Sequence, residues 1–383
     1  MRKVDMEKFE SRVIVSGLGL SDTGRGLERT GLDLALDAAL LAIADAGLRP
    51  EDIDGVASMP FGDRPPEEIV DALGLKLNWM GGSSSGAQLG VMISAAMAIA
   101  SGLCRHVLIY RSVQQLGGML GSASGALPAA EGPWEWHVPF HEYSAVNLMA
   151  MQARRHMHQY GTTKEQLGWI ALNARRHAAL NDQAVLQAPM TMDDYLAAPM
   201  ISEPLGRFDC DLPIDAAVGI VLSAADFVPD CPNAPVRLEA VGCANHDTHG
   251  WEPRLDFPSM AAKDAAAQMW GRTDLTPADI NVAELYDGFT ILTLSWLEAL
   301  GICQEGEAGA FVDGGQRIGL GGTLPLNTYG GQLSAGRLHG FWLFHEAVLQ
   351  LRGKAGRRQV PNAEVAITSA GGGFRCGCIL LTT

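Results

Sequence analysis

The chain lacks the marks of several protein classes. No apolar run reaches the ~20 residues that a membrane-spanning helix needs. Its 28 Lys and Arg stand against 43 Asp and Glu, a net charge of −15, which argues against nucleic acid as a partner. A single Arg or a helix N-terminus can still hold a phosphate on an acidic protein. The seven cysteines are odd in number and widely spaced. Only Cys376-Gly377-Cys378 is close, and one intervening residue is neither zinc nor redox spacing. His246-Asp247-Thr248-His249 has no third metal ligand nearby in sequence and reads as a polar loop. The opening Met1-Arg2-Lys3-Val4-Asp5-Met6-Glu7-Lys8 is too charged for a signal peptide. The expectation is a cytoplasmic protein. At 383 residues, 47% hydrophobic, it can bury one large core or two fused halves.

Short apolar strands alternate with helical periodicities. Val13-Ile14-Val15 reads as a strand closed by Gly17 and Gly19. Leu32, Leu36, Leu40 and Ile43 follow at helical spacing, and Gly47 with Pro50 ends that helix. Ala87 to Ala100 is a small-residue helix suited to close packing, and 106–110 is the next strand. Residues 117–141, rich in Gly, Ser, Pro and Trp (Trp134, Trp136), form a long loop over a site or a subunit contact. Helices are predicted over 144–160 and 164–181, then a strand over 220–223. Pro232 and Pro235 mark a linker. The second half reads as strand 236–241, helix 260–270, strand 281–285, helix 290–300, helix 338–351 and strands 365–368 and 379–381. Phe341, Phe344, Val348 and Leu351 share one helical face. Such alternation predicts a layered α/β fold.

Three glycine-rich stretches punctuate this pattern: Gly81-Gly82-Ser83-Ser84-Ser85-Gly86, Gly330 through Gly340, and Ser369-Ala370-Gly371-Gly372-Gly373. With Tyr160 to Leu167, Asp209-Cys210-Asp211-Leu212-Pro213-Ile214-Asp215-Ala216, Glu284-Leu285-Tyr286-Asp287-Gly288-Phe289 and Asn327-Thr328-Tyr329-Gly330-Gly331, they occur in an order that resembles the thiolase superfamily over nearly the whole chain. The likeness is closest to the sterol-carrier-protein-type (lipid-transfer) thiolases and to the acyl-CoA aldolases, the steroid side-chain lyases. The resemblance implies a thiolase fold: two related βαβαβαββ halves, 1–234 and 235–383, in a five-layered αβαβα arrangement, the first half carrying an insertion over about 117–215. It implies a homodimer, an acyl-CoA substrate with no cofactor beyond that coenzyme A, and a small OB-fold, zinc-ribbon partner forming a heterotetramer. Thiolases carry Cys, His and Cys in the three loops. The matching positions here are Ser83, Arg337 and Ser369. Sterol-carrier-type thiolases carry His-Asp where this chain has Tyr286-Asp287; the aldolase branch carries Tyr.

Thiolysis needs a thiolate to accept the acyl group. A retro-aldol reaction does not: it needs a base for the β-hydroxyl proton and donors for the thioester enolate. Tyr286 is the expected base, its phenol (ordinarily near 10) lowered by Arg337. Asp287 either orients Tyr286 or caps the following helix. His339 either acts in catalysis or satisfies backbone at a helix start. Tyr329 and His339 are close enough in sequence to substitute for a second catalytic Tyr that the aldolases use where Arg337 stands. Backbone N–H groups of Gly371, Gly372 and Gly373, or around Ser83, would hold the oxyanion. Ser83 and Ser369 themselves read as turn formers, Cys210 as structural, Cys104 and Cys303 as buried apolar groups. Arg175, Arg176 and Arg207 read as solvated surface. Two competing functions remain: an acyltransferase using Ser83 or Cys376 as an unorthodox nucleophile, and a non-catalytic acyl-CoA or lipid-binding subunit.

Overall fold

In the computed structural model the described residues are 8–59, 64–82, 87–114, 131–132, 135, 137–142, 144–246 and 260–383. Ser83, the two loop tryptophans, most of 117–141 and Asp247 to His249 lie outside them. The strands are β1 (Val13–Leu20), β2 (Gly55–Ser58), β3 (Trp79–Gly81), β4 (His106–Gln114), β5 (Met200–Ser202), β6 (Leu205–Gly206), β7 (Asp215–Ala224), β8 (Val236–Asn245), β9 (Val282–Glu284), β10 (Val365–Gly371) and β11 (Arg375–Thr382). The helices are α1 (Gly31–Asp45), α2 (Pro66–Leu73), α3 (Gly90–Ala100), α4 (Ala145–Tyr160), α5 (Lys164–Ala178), α6 (Met192–Leu196), α7 (Met260–Trp270), α8 (Thr290–Ala299), α9 (Ala308–Val312) and α10 (Phe341–Leu351).

Nine strands join in the order β3-β2-β4-β7-β1-β8-β11-β10-β9, with β5 and β6 as a separate pair. β1 and β8 meet antiparallel through Ile14–Arg237 and Val15–Val236. Outward from that junction each side repeats one pattern of pairings: antiparallel, antiparallel, parallel. α4, α5, α6 and the β5–β6 pair are inserted between β4 and β7. No helix among the described residues is long and apolar enough to cross a membrane.

β1 runs through Gly17 and Gly19 instead of ending there. The glycines admit α1: a Cβ at Gly17 would lie 2.0 Å from Ala42 O, and one at Gly19 2.1 Å from Ala38 O. This contact also reassigns the buried face of α1. Leu34, Ala35, Ala38, Ala39, Ala42 and Ile43 are buried, whereas Leu40 is 44% exposed. Small residues face the sheet because the helix lies almost on its backbone; of the periodic set Ile43 is buried, Leu32 and Leu36 pack half-buried beside it, and Leu40 is left outside. β8 and α7 repeat the device, with a Gly242 Cβ 2.0 Å from Ala265 O.

α10 is buried nearly all round, not along one face, and packs on β9, β10 and β7. It begins at Phe341 because His339 (φ 50°) and Gly340 (φ 86°) are left-handed and cannot extend it backwards. Ser369 lies within β10, not in a turn. β2, α2 and β3 escaped the sequence reading; β2 is only Gly-Val-Ala-Ser, too short for a periodic signal.

Candidate active site

β9 delivers the chain into Leu285-Tyr286-Asp287-Gly288-Phe289 before α8 begins. Two side chains from elsewhere steer it. Asn327 brackets Leu285, accepting from its N–H (2.7 Å) and donating to its C=O (2.9 Å). Ser369 Oγ accepts from Tyr286 N–H at 3.0 Å. The serine at the third thiolase-like loop therefore holds the backbone of the catalytic candidate. Tyr286 folds its ring over Gly288, where a Cβ would meet the ring at 2.8 Å.

Asp287 is fully buried and does not cap α8. Its Oδ1 accepts from Gln332 N–H at 3.0 Å, so it anchors the second glycine loop. Among the described residues no side chain caps α8; Asp209 instead ties its first residue down by accepting from Thr290 Oγ1 (2.7 Å), along with Gly206 N–H (2.7 Å), Tyr195 and Lys164. Burial pushes the Asp287 carboxyl up to about 7.

The glycine loop turns through Gly330 (φ 108°) and Gly331 (φ 60°) into a π-turn over Gly331–Ala335. A Cβ at Gly331 would sit 2.0 Å from Asp287 Oδ2, so only glycine fits. Arg175 is buried, contrary to the solvated reading, and donates Nε–H to Ser334 Oγ at 3.0 Å. Arg176 and Arg207 are exposed as expected. Arg337 pairs with Asp211 Oδ1 at 3.0 Å. His339 Nδ1 lies 3.0 Å from Arg111 Nη2. A guanidinium only donates, so Nδ1 is the acceptor and the imidazole proton sits on Nε2. Burial, then Arg111 and Arg337, keeps that imidazole neutral. Tyr329 is fully buried against Trp342, with ring centroids 5.0 Å apart, and its hydroxyl has no partner among the described residues.

Tyr286 and the Gly371–Gly373 turn line a cavity of about 300 Å³ whose other walls include Met59, Met149, Phe289, Leu292 and Phe374. Its walls are mostly apolar, and the polar side chains that line it are those of Tyr286, Gln88 and Arg375. Larger clefts of about 600 and 620 Å³ contain no residue of the three loops. Arg337, His339, Asp287 and Tyr329 are not part of the chamber lining.

One mechanistic expectation fails. The Tyr286 phenol is raised, not lowered: burial dominates, Asp211 adds to it, and Arg337 opposes only in part. Arg337 is spent on Asp211, so Tyr286 is a neutral donor at pH 7 and a poor base. Cys376 is buried on β11 with Sγ 3.7 Å from Gly373 O, and no cysteine lines the chamber. Cys303 is only half-buried, Cys104 fully, and Cys210 approaches Gly206 O at 3.6 Å. His246 faces Asp264 at 2.7 Å.

Two residues escaped the sequence reading. Gln332 is fully buried, and neither end of its carboxamide has a partner among the described residues. It lies near enough to the Tyr286 oxygen to favour its ionised form without reaching hydrogen-bond geometry. Asp211 was passed over as a neighbour of Cys210. No local pattern signals either residue.

Two buried histidines brace the site. His177 lies 3.2 Å by Nδ1 from Asn327 O, and burial lowers it to about 4; His345 is lowered to about 4 likewise. A folded value below the ordinary 6.5 stabilises above pH 6.5 and is lost as pH falls through about 4. Each contributes at most about 3 kcal/mol. Urea unfolding should show stability falling between pH 6.5 and 4, with a shallower slope in His345→Gln. An unchanged slope in that variant would remove His345 from the account.

In this layered α/β arrangement Ser369, in the third glycine-rich stretch, steers the backbone of Tyr286, and the Tyr286 side chain lines the chamber. Residues 243–379 match the thiolase C-terminal domain-like family. A steroid side-chain-cleaving aldolase of Thermomonospora curvata is 34% identical over 98% of this chain and 99% of its own. The 17-hydroxy-3-oxo-4-pregnene-20-carboxyl-CoA lyase of Mycobacterium tuberculosis is 34% identical over 97% of this chain and 100% of its own. The solved Ltp2–ChsH2 (DUF35) aldolase superposes with a TM-score of 0.90 at 32% identity, covering 97% of this chain and 98% of that one. The chain belongs to the thiolase superfamily, in the branch of the steroid side-chain-cleaving aldolases, which are carbon–carbon lyases.

Proposed function

We propose that this protein cleaves the Cα–Cβ bond of a β-hydroxyacyl-CoA by retro-aldol chemistry, releasing a ketone and a shorter acyl-CoA. The observation that carries the reading is the use of Ser369. Where a thiolase would present a thiol, this side chain accepts from Tyr286 N–H and holds a neutral phenol at an apolar chamber. A phenol donates to the enolate oxygen that develops as the bond breaks, and one such donor is worth ~3 kcal/mol. The Gly372 and Gly373 main chain, at the same chamber wall, is the second candidate for that oxyanion. Removing the β-hydroxyl proton and reprotonating Cα balances the reaction without a redox cofactor. The chamber's apolar walls suit a hydrophobic acyl group, and a steroid side-chain CoA ester is the class that the relatives' names support.

The reading extends to assembly. We assign a homodimer joined by a small OB-fold, zinc-ribbon protein, since a similar chain is solved with a DUF35 partner. We place it in the cytoplasm and divide it at 234/235 into halves that share the strand pattern, with the insertion over about 117–215 in the first.

The test is a product assay with and without the co-expressed partner. A β-hydroxyacyl-CoA with a tertiary alcohol should yield ketone and shorter acyl-CoA; a β-ketoacyl-CoA with free CoA should yield nothing. Thiolysis of the second substrate, with a covalent acyl adduct by intact mass, would establish an acyltransferase instead. Binding without turnover of either would leave a lipid- or acyl-CoA-binding subunit.

A further inference from the structure

A β-hydroxyacyl thioester brings two polar groups into the chamber. The thioester oxygen only accepts hydrogen bonds, and the Tyr286 O–H is there to meet it. The β-hydroxyl is the one donor of the reacting group, so it needs an acceptor. Arg375, also in the lining, only donates through its guanidinium. Main-chain carbonyls of the same wall are already taken. Gly371 O accepts from Trp296 Nε1 (3.0 Å), Gly373 O from Ala261 N–H (3.2 Å) and Phe374 O from His246 N–H (2.8 Å).

Gln88 is different. It lines the chamber with Tyr286, and its Oε1 is buried with no partner among the described residues. Buried carbonyls are rarely left unmet, and a functional role is among the recognised reasons. The fold pins the root of this side chain where the glycine-rich stretches meet. Gln88 stands two residues after Gly86, the end of the first stretch. Ala87 before it is left-handed, with φ 52°. A Cβ on Gly371 would lie 2.8 Å from Ala87 Cβ, and one on Gly340 would lie 3.9 Å from Gln88 Cβ. The turn Ala87–Leu89 packs on β10 and β11 and leads into α3. The last torsion of a glutamine is soft, so Oε1 turns towards the chamber without moving this backbone.

We propose that Gln88 is the residue that recognises the substrate's β-hydroxyl, its Oε1 accepting the hydroxyl hydrogen while Tyr286 O–H meets the thioester oxygen. The inference rests on the retro-aldol reading. One donor and one acceptor on the chamber wall then match the one acceptor and one donor of the reacting group. A carboxamide takes no proton at neutral pH, so Gln88 binds and does not act as the base. The hydroxyl leaves Oε1 as its proton departs. The bond therefore belongs to the ground-state complex and decides which acyl-CoA is held, not how fast it is cleaved. A saturated acyl-CoA and a β-ketoacyl-CoA carry no donor at Cβ, and each leaves Oε1 unmet.

The test uses the full chain with its co-expressed partner and two ligands. One is a β-hydroxyacyl-CoA with a tertiary alcohol, followed by ketone release. The other is the saturated acyl-CoA of the same carbon skeleton, measured as a competitive inhibitor. The wild-type KM for the first should lie about tenfold or more below the inhibition constant of the second. Gln88→Met, close in size and without the carboxamide, should raise KM about tenfold with kcat within about threefold. The inhibition constant of the saturated ligand should stay within about twofold, so the preference for the hydroxyl disappears. Circular dichroism establishes folding; should Gln88→Met not fold, Gln88→Asn, which withdraws the carboxamide by one carbon, carries the same expectation. A wild-type protein that releases no ketone overturns the retro-aldol reading and this assignment with it. Wild-type turnover with both ligands bound about equally well, or a Gln88→Met variant that keeps the wild-type preference, overturns the assignment alone.

Discussion

Replacing Tyr286 by Phe should lower kcat for ketone release by about 100- to 1000-fold while leaving acyl-CoA affinity nearly unchanged. The phenol ring lines the chamber, so Phe preserves its shape and apolar contacts. Only the O–H is lost, and with it a donor aimed at charge that exists in the transition state but not in the ground state. The backbone stays in place, because Ser369 Oγ holds Tyr286 N–H and not its hydroxyl. The raised phenol predicts further that wild-type activity shows no loss attributable to Tyr286 ionisation below about pH 10. Steady-state kinetics on the β-hydroxyacyl-CoA, paired with calorimetry, check both statements. A variant that retained most of its kcat would take Tyr286 out of the chemistry and return it to packing.

Arg358→Ala should destabilise the protein by about 3–5 kcal/mol, because it strands a buried carboxylate. Glu346 on α10 is fully buried and receives both Nε and Nη2 of Arg358 at 3.0 Å. Thr328 bridges the two carboxyls, 2.6 Å from Glu284 Oε1 and 3.0 Å from Glu346 Oε1, while Gln350 Nε2 donates to the same hydroxyl at 2.9 Å. Burial and then Glu346 push Glu284 well up, so Glu284 keeps its proton, and the Arg358 guanidinium pairs with Glu346. Thr328 lies one residue before Tyr329, and Glu284 two before Tyr286. The network therefore sets the register of both loops, and activity should fall with stability. Urea unfolding at pH 7 measures the loss. The double variant Arg358→Met with Glu346→Leu should recover most of it, since replacing a buried ion pair by apolar groups is often neutral. A loss below about 1 kcal/mol in the single variant would mean that the Arg358–Glu346 pair does not hold α10 in place.

Much of this was legible before any coordinates. The alternation of strands and helices, the glycine loops in order, and serine or arginine where thiolases need Cys and His gave the superfamily, the branch and the choice of retro-aldol chemistry over thiolysis. Those features are carried by residue identity at local spacing, which is what a sequence displays. Tyr286 followed from its motif alone. The leucine spacing located α1, but not that a helix lying on glycines buries its alanines.

Only the tertiary structure decided what each group does. Asp287 looked like a cap for α8 and instead anchors Gln332, 45 positions away. Arg337 looked like the cation for Tyr286 and is paired with Asp211, 126 positions away. Ser369 looked like a turn former and steers Tyr286 from a strand 83 positions on. A proton's resting place is set by burial and by charges brought together through the fold. Neither is encoded in local spacing, so the sequence could name the reaction class, while the fold decided that burial holds the Tyr286 phenol above its ordinary value.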